Sequence, residues 1–114
     1  MTTTSIRSDL YTTTIIYKIR RCDNQLDKQH GVVDHSTRQL WAVARRHAYF
    51  RYLYDSSHFS YRMIGEIVGR ALGQKPYDHS TVLSAVNKAK SRMDVNDSLF
   101  MPIYLEAKEI LEKP

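Results

Sequence analysis

Asp78, His79, Ser80 and Thr81 form a run of four side chains, each able to make a directional polar contact. An imidazole and two hydroxyls can donate to guanine or to phosphate oxygens. A threonine methyl can lie against a thymine methyl, and a carboxylate can accept from a cytosine amino group or simply cap a helix. If the run opens a helix, the helix N-terminus adds its own preference for phosphate. The same four-residue string occurs earlier, at Asp34–Thr37. The residues flanking the two copies do not align, so the strings are read as two helix starts rather than as a repeat.

Other constellations point to less. Cys22 stands among Arg20, Arg21 and Asp23, and arginines can lower a thiol pKa, but a lone cysteine of this kind is more simply a surface or half-buried residue. Being single, it excludes an internal disulfide and suits a reducing compartment. Asp34, His35 and Ser36 are the residue types of a hydrolase triad, yet consecutive side chains cannot converge in the required geometry. The five histidines, His30, His35, His47, His58 and His79, show no paired metal-ligand spacing. No glycine-rich phosphate loop ending in Lys-Ser or Lys-Thr is present. The chain is therefore expected not to be an enzyme, and to need no cofactor, metal or small-molecule substrate.

The elements that must position the Asp78 run come next. The 114 residues suffice for one modest core, and the hydrophobic content of 42% is that of a globular chain. The net charge of +5 is unevenly placed. Residues 1–37 carry five Lys or Arg against four carboxylates. Residues 38–92 carry ten against three, and residues 93–114 carry two against five. The middle is an electropositive module that favours a polyanion, and the tail is acidic. No apolar run approaches the roughly 18 residues of a membrane span, and the opening residues show no charged-then-apolar leader. A cytoplasmic protein with no membrane partner is the expectation.

Residues 1–35 are read as an N-terminal arm or helix. Thr12–Ile19 is β-branched and could pass for a strand, but Ile6, Leu10, Thr14, Tyr17 and Arg21 fall at helical spacing. From residue 36 to 114 the periodicity predicts helices only. Ser36 or Thr37 is expected to cap a helix carrying Leu40, Ala44 and Ala48. Ser60 is expected to cap one carrying Ile64, Ile67, Val68 and Ala71. Within it Gly65, Gly69 and Gly73 recur every fourth residue. A glycine in a helix costs about 1 kcal/mol against alanine, so this spacing predicts another helix approaching closely, with Gly73 ending the element. Arg62, Glu66 and Arg70 exclude a membrane reading of those glycines. Asp78 is expected to cap a fourth helix with Val82, Val86, Ala89 and Met93 on one face and Ser80, Ser84, Asn87 and Ser91 on another, Lys88 and Arg92 beside the latter. Pro102 sits in the first turn of a last, acidic helix.

Two stretches together carry a resemblance: Ser60-Tyr-Arg-Met-Ile-Gly-Glu-Ile-Val-Gly69, then Asp78-His-Ser-Thr-Val-Leu-Ser-Ala-Val-Asn-Lys88. They resemble the C-terminal DNA-binding domain (domain IV) of the bacterial replication initiator DnaA. Ala44-Arg-Arg-His-Ala-Tyr-Phe50 is similar to a segment that lies upstream in that family. The likeness spans roughly residues 36–110. It implies an all-α bundle around a helix-turn-helix, of DnaA domain IV or Trp-repressor type, that recognises a short duplex sequence. It implies that Asp78, His79, Ser80 and Thr81 read the major groove and that Arg45 enters the adjacent minor groove. Arg62 and Lys88 would then neighbour phosphates, and Arg46, Lys75 and Ser84 complete the DNA-facing set. Two features depart from the family. The turn Arg70–Tyr77 is long, which bears on the docking angle of the following helix, and the loop before Arg45 is less basic. The chain resembles the DNA-binding module alone, of the sort a phage, plasmid or other mobile element encodes.

Two functions follow as expectations. The first is sequence-specific binding of double-stranded DNA in replication control or transcription regulation. The second is a protein-interaction or structural module that keeps the fold without reading DNA, its partner a second copy of the chain or a replication protein. Eight tyrosines and one tryptophan suit the second as interface anchors.

Overall fold

The β-branched stretch near the N-terminus is helical, and burial is the reason. In the computed structural model, which describes residues 2–113 with side chains from Leu10 onward, helix α1 runs unbroken over Thr2–His30. Thr12, Ile16, Ile19, Asp23 and Leu26 recur at steps of four and three and all are buried. That stripe faces the core, and tertiary packing overrides strand propensity. The stripe expected from spacing lies on the other side: Leu10 is 71% and Tyr17 60% exposed, and Thr14 and Arg21 also face solvent. The Ile6 side chain lies outside the described residues. Gly31, at φ +101°, ends the helix and donates its N–H to the Asp27 carbonyl (2.9 Å).

Helix α2 spans Leu40–Ser56 and begins later than its expected caps. Ser36 and Thr37 are spent on a turn instead. The Asp34 carboxylate accepts from the Ser36 N–H (2.9 Å) and hydroxyl (2.6 Å), and the Thr37 hydroxyl donates to the Asp34 carbonyl (2.7 Å). Gln39 precedes the helix with no side-chain cap. The other two expected caps form. Ser60 accepts from the Met63 N–H (3.1 Å) at the head of α3 (Tyr61–Ala71), and Asp78 accepts from the Ser80 N–H (3.1 Å) at the head of α4 (His79–Asp94). At the head of α5 (Phe100–Glu112) Asp97 accepts from the N–H groups of Leu99 (3.1 Å) and Phe100 (2.7 Å).

The architecture is all-helical, with no strand among the described residues. Helix α2 packs against α3, α4 and α5, and α1 against α3 and α5. Ile19 and Leu26 of α1 meet Tyr49, Phe50, Ile64, Val68, Val82, Val86 and Phe100 in one core. The first helix therefore shares the core of the remaining four. No described helix is long and apolar enough to cross a membrane.

The glycines of α3 receive a loop rather than a helix. The 72–78 connection turns at Gly73 (φ +70°) and climbs back along α3. The Gln74 N–H donates to the Gly69 carbonyl (2.8 Å) and the Tyr77 N–H to the Gly65 carbonyl (3.1 Å). A Cβ on Gly65 would stand 2.1 Å from the Tyr77 carbonyl oxygen, and one on Gly69 2.6 Å from that of Lys75. Both obstacles are backbone, so neither can swing aside. The length of the turn is thus accommodated by packing it onto α3, which sets where α4 starts. Gly65→Ala is expected to destabilise the fold by about 2 kcal/mol or more through overpacking. Gly73→Ala, which meets only backbone strain, should cost about 1 kcal/mol. Urea midpoints for the two variants measure the difference, and equal midpoints would remove the loop contact as a constraint.

Candidate functional site

Helix α4 has a buried apolar face and a mainly polar exposed one, with Leu83 exposed and Arg92 half-buried at the boundary. Val82, Ala85, Val86 and Ala89 are buried, while His79, Ser80, Thr81, Ser84, Asn87, Lys88 and Ser91 are exposed. The sequence between Asp78 and Asp94 contains no carboxylate. At the head of the helix the Ser80 hydroxyl and N–H both donate to Asp78, and those hydrogen bonds hold its carboxyl below the usual carboxylate range. Asp78 and Ser80 are therefore tied to each other as a cap. His79 lies 3.7 Å from Asp78 and stays open to solvent. Thr81, Ser84 and Lys88 point outward with no side-chain hydrogen bond or ion pair to any described residue. Arg62 on α3 and Lys75 in the connection are exposed as well.

Arg45 lies elsewhere. Only 3% exposed, it donates to the Asp27 carboxylate and to the Gly31 carbonyl (2.9 Å), and stands 3.6 Å from Asp23. An arginine expected in a DNA groove is instead committed to the interior, where two acceptors from α1 and its C-terminal turn and the nearby Asp23 charge satisfy it. Asp23 is buried too. It accepts from the Tyr49 hydroxyl (2.6 Å) and shares a hydrogen bond with His35 Nε2 (2.9 Å). Burial alone would raise its pKa, but the His35 and Tyr49 hydrogen bonds and the positive charge of Arg45 hold it below the usual carboxylate range. Arg46, half-buried, donates to the carbonyls of His35 (3.2 Å) and Thr37 (2.9 Å). Consecutive arginines thus hold the two ends of the 31–39 loop.

These contacts separate the residues of the two groupings named in the sequence. His35 turns to Asp23 and away from Ser36, so Asp34, His35 and Ser36 do not assemble as a triad. Cys22 is fully buried beside the Ala107 carbonyl (3.9 Å), and burial pushes its thiol up to about 12. Among the described residues no cluster of His, Cys, Asp or Glu could hold a metal ion.

Two basic residues, Arg38 and His47, stand out only in three dimensions. Arg38 is exposed in the loop that Arg46 clamps. His47 of α2 is half-buried and within electrostatic reach of Lys88 and Arg92 of α4. No sequence signal marks His47, because its neighbours come from another helix. Arg92 follows Lys88 by one turn, so its place beside Lys88 was readable from spacing. Comparison of the chain with family models, with curated proteins and with solved structures finds no match.

Asp23→Ala leaves the Tyr49 hydroxyl, a His35 nitrogen and part of the Arg45 charge without a partner. It is expected to cost about 3 kcal/mol in urea unfolding, against roughly 0.5 kcal/mol for Asp55→Ala at the more exposed Arg51 ion pair. Similar midpoints for the two would refute the network's role. His47 supplies a pH test. Burial, then the charges of Arg92, Lys88 and Arg46, push its pKa down from 6.5 to about 4. The unfolded chain takes up this proton first, so the stability carried by neutral His47 is complete above pH 6.5 and is lost as pH falls toward 4. The melting temperature should fall more steeply over that interval in the natural chain than in His47→Gln, and parallel curves would contradict the shift.

Proposed function

We propose that this protein binds double-stranded DNA sequence-specifically, with α3, the 72–78 connection and α4 acting as a helix-turn-helix and α4 entering the major groove. The observation that carries the reading is the exposed face of α4. It is mostly polar and basic, with Leu83 its one large exposed apolar side chain and no carboxylate between the Asp78 cap and Asp94 at its last position, and it is backed by a buried face that fixes its direction. The resemblance to the DnaA DNA-binding domain points the same way, and a role in replication control or transcription regulation goes with it.

The side chains take different parts. His79 and Thr81 read base edges in the first turn. Ser84 lies one turn further on, and Lys88, Arg62 and Lys75 neutralise phosphates. Asp78 and Ser80 hold the helix start in shape. Arg45 acts from within, tying α2 to α1, and the exposed arginine of the loop beside it is Arg38. Binding of this kind weakens steeply with salt, because each neutralised phosphate releases counterions.

A second reading, a protein-interaction module, is favoured by a cavity of about 480 Å³ between the end of α1, the 31–39 loop and the start of α5. Val32 and Trp41 line it, and Trp41 is 54% exposed. A partner's apolar side chain would fit there.

Selection of bound duplexes from a random pool separates the two. The DNA reading expects an enriched consensus, and no enrichment at about 0.1 M salt shifts the assignment to the interaction module. On the selected duplex, His79→Ala and Thr81→Ala should each lose about 1–3 kcal/mol of discrimination. Lys88→Ala should weaken all sequences alike and flatten the slope of log K against log salt by about 0.9. Unchanged gel-shift titrations for all three would defeat this placement of α4.

A further inference from the structure

Helices α2 and α4 meet along a seam whose edge carries arginine and lysine side chains beside a histidine. Arg51 of α2 donates to the Val86 carbonyl of α4 (3.4 Å), which sets the register. One turn back along α2 is His47, with Arg46 beside it. Along α4 the matching positions are Lys88 and Arg92, which share a face at i, i+4. The charges that act on His47 come from Arg92, Lys88 and Arg46, and no carboxylate is among them. The neighbouring carboxylates are already engaged: Asp55 by Arg51 (2.9 Å), Asp94 by Lys90 (3.1 Å), and Asp23 by Tyr49 and His35.

The seam also holds polar atoms with nothing to bond. His47 Nδ1 and one Arg92 terminal nitrogen are buried without a hydrogen-bond partner. Such groups are rare in folded proteins, and each is a donor or acceptor that no protein atom satisfies. The charges of Arg46, Lys88 and Arg92 fall on a half-buried His47 that they keep neutral, and an anion seated among the four would offset that positive charge. Arg92 sits where the exposed row of α4 passes into its buried face, so the seam borders the face assigned to the major groove.

We propose that this seam, with Arg46 and His47 on one wall and Lys88 and Arg92 on the other, is a phosphate-binding site that seats one backbone phosphate of the duplex. Its duplex role rests on the DNA reading above. The recognised chemistry, a phosphate oxyanion, is shared with free phosphate. Arg92 and Lys88 supply charge-assisted hydrogen bonds, and His47 gives a further donor once the anion has offset the surrounding positive charge.

Two measurements test it on the whole chain. In the first, inorganic phosphate is titrated against chloride at constant ionic strength while the histidine ring signals are followed by NMR. His47 should shift saturably and its apparent pKa should rise, the exposed His58 should stay still, and Arg92→Gln should abolish the shift. In the second, Arg92→Gln and His47→Gln, shown folded by circular dichroism, are titrated with the selected duplex. Arg92→Gln should bind about tenfold more weakly, the loss of one charge-assisted hydrogen bond, with the selected consensus unchanged and a salt slope lower by about one. His47→Gln should weaken binding less. A His47 signal that ignores phosphate, together with wild-type affinity in Arg92→Gln, overturns the site while leaving the DNA reading standing. A phosphate-dependent shift in a chain that retains no duplex overturns the duplex role and leaves a site for free phosphate.

Discussion

A carboxylate buried as deeply as that of Asp23 has to be satisfied on every side, and satisfying it organises much of this molecule. Tyr49 and Arg45 reach it from α2, and His35 reaches it from the loop between the first two helices. Arg45 carries the network on to Asp27 and to the backbone at Gly31. Pairing charges inside a protein recovers little net energy, because the desolvation cost nearly cancels the attraction. What the arrangement secures is geometry, since a placement of α1 that broke its side-chain links to α2 would strand a charge. Arg46, one residue on, grips the His35 and Thr37 carbonyls and holds the outer half of the loop. One pair of arginines therefore fixes both the first helix and the loop that returns from it.

A second constraint acts at the other side of α2. The 72–78 connection lies on α3 because two glycines leave room for its carbonyl oxygens. Its last residues set the origin of α4, where Asp78 closes the first turn. Phe50 of α2 meets Tyr77 edge-on with ring centres 5.3 Å apart, which fastens the end of the connection to the core. The direction of α4, and so the direction of its polar face, follows from these contacts. The cationic seam is a by-product of the same docking: once α4 lies on α2, Lys88 and Arg92 have to stand beside His47.

Much of this could be read from residue order, and the failures have physical causes. The buried and exposed faces of α4 follow from a period that a single helix displays, and the caps at Ser60 and Asp78 are local hydrogen bonds between near neighbours. The same local chemistry misled at Asp34–Thr37. That string makes the same Asp-to-Ser bonds as Asp78–Ser80, but the chain after it turns instead of coiling, since Arg46 and Asp23 draw its backbone and His35 elsewhere. In α1 two candidate stripes compete at helical spacing, and only the neighbours decide which is covered. The stripe holding a threonine and an aspartate won over the one holding a leucine and a tyrosine, because Tyr49, His35 and Arg45 were there to receive the aspartate.

The sequence by itself determined that this chain is helical from end to end of its readable pattern, that its charge is concentrated in the middle, and that α4 has a polar basic face behind a capped first turn. These are properties of periodicity and of neighbours within one turn. Only the tertiary structure decided that Arg45 is interior and Arg38 exterior, that the glycines of α3 receive a loop, and that α2 and α4 together make a cationic seam. Each of those depends on which residues distant in the chain become adjacent. An arginine has the same chemistry on the surface and in the core, and the carboxylates that packing brings to it determine which place it takes.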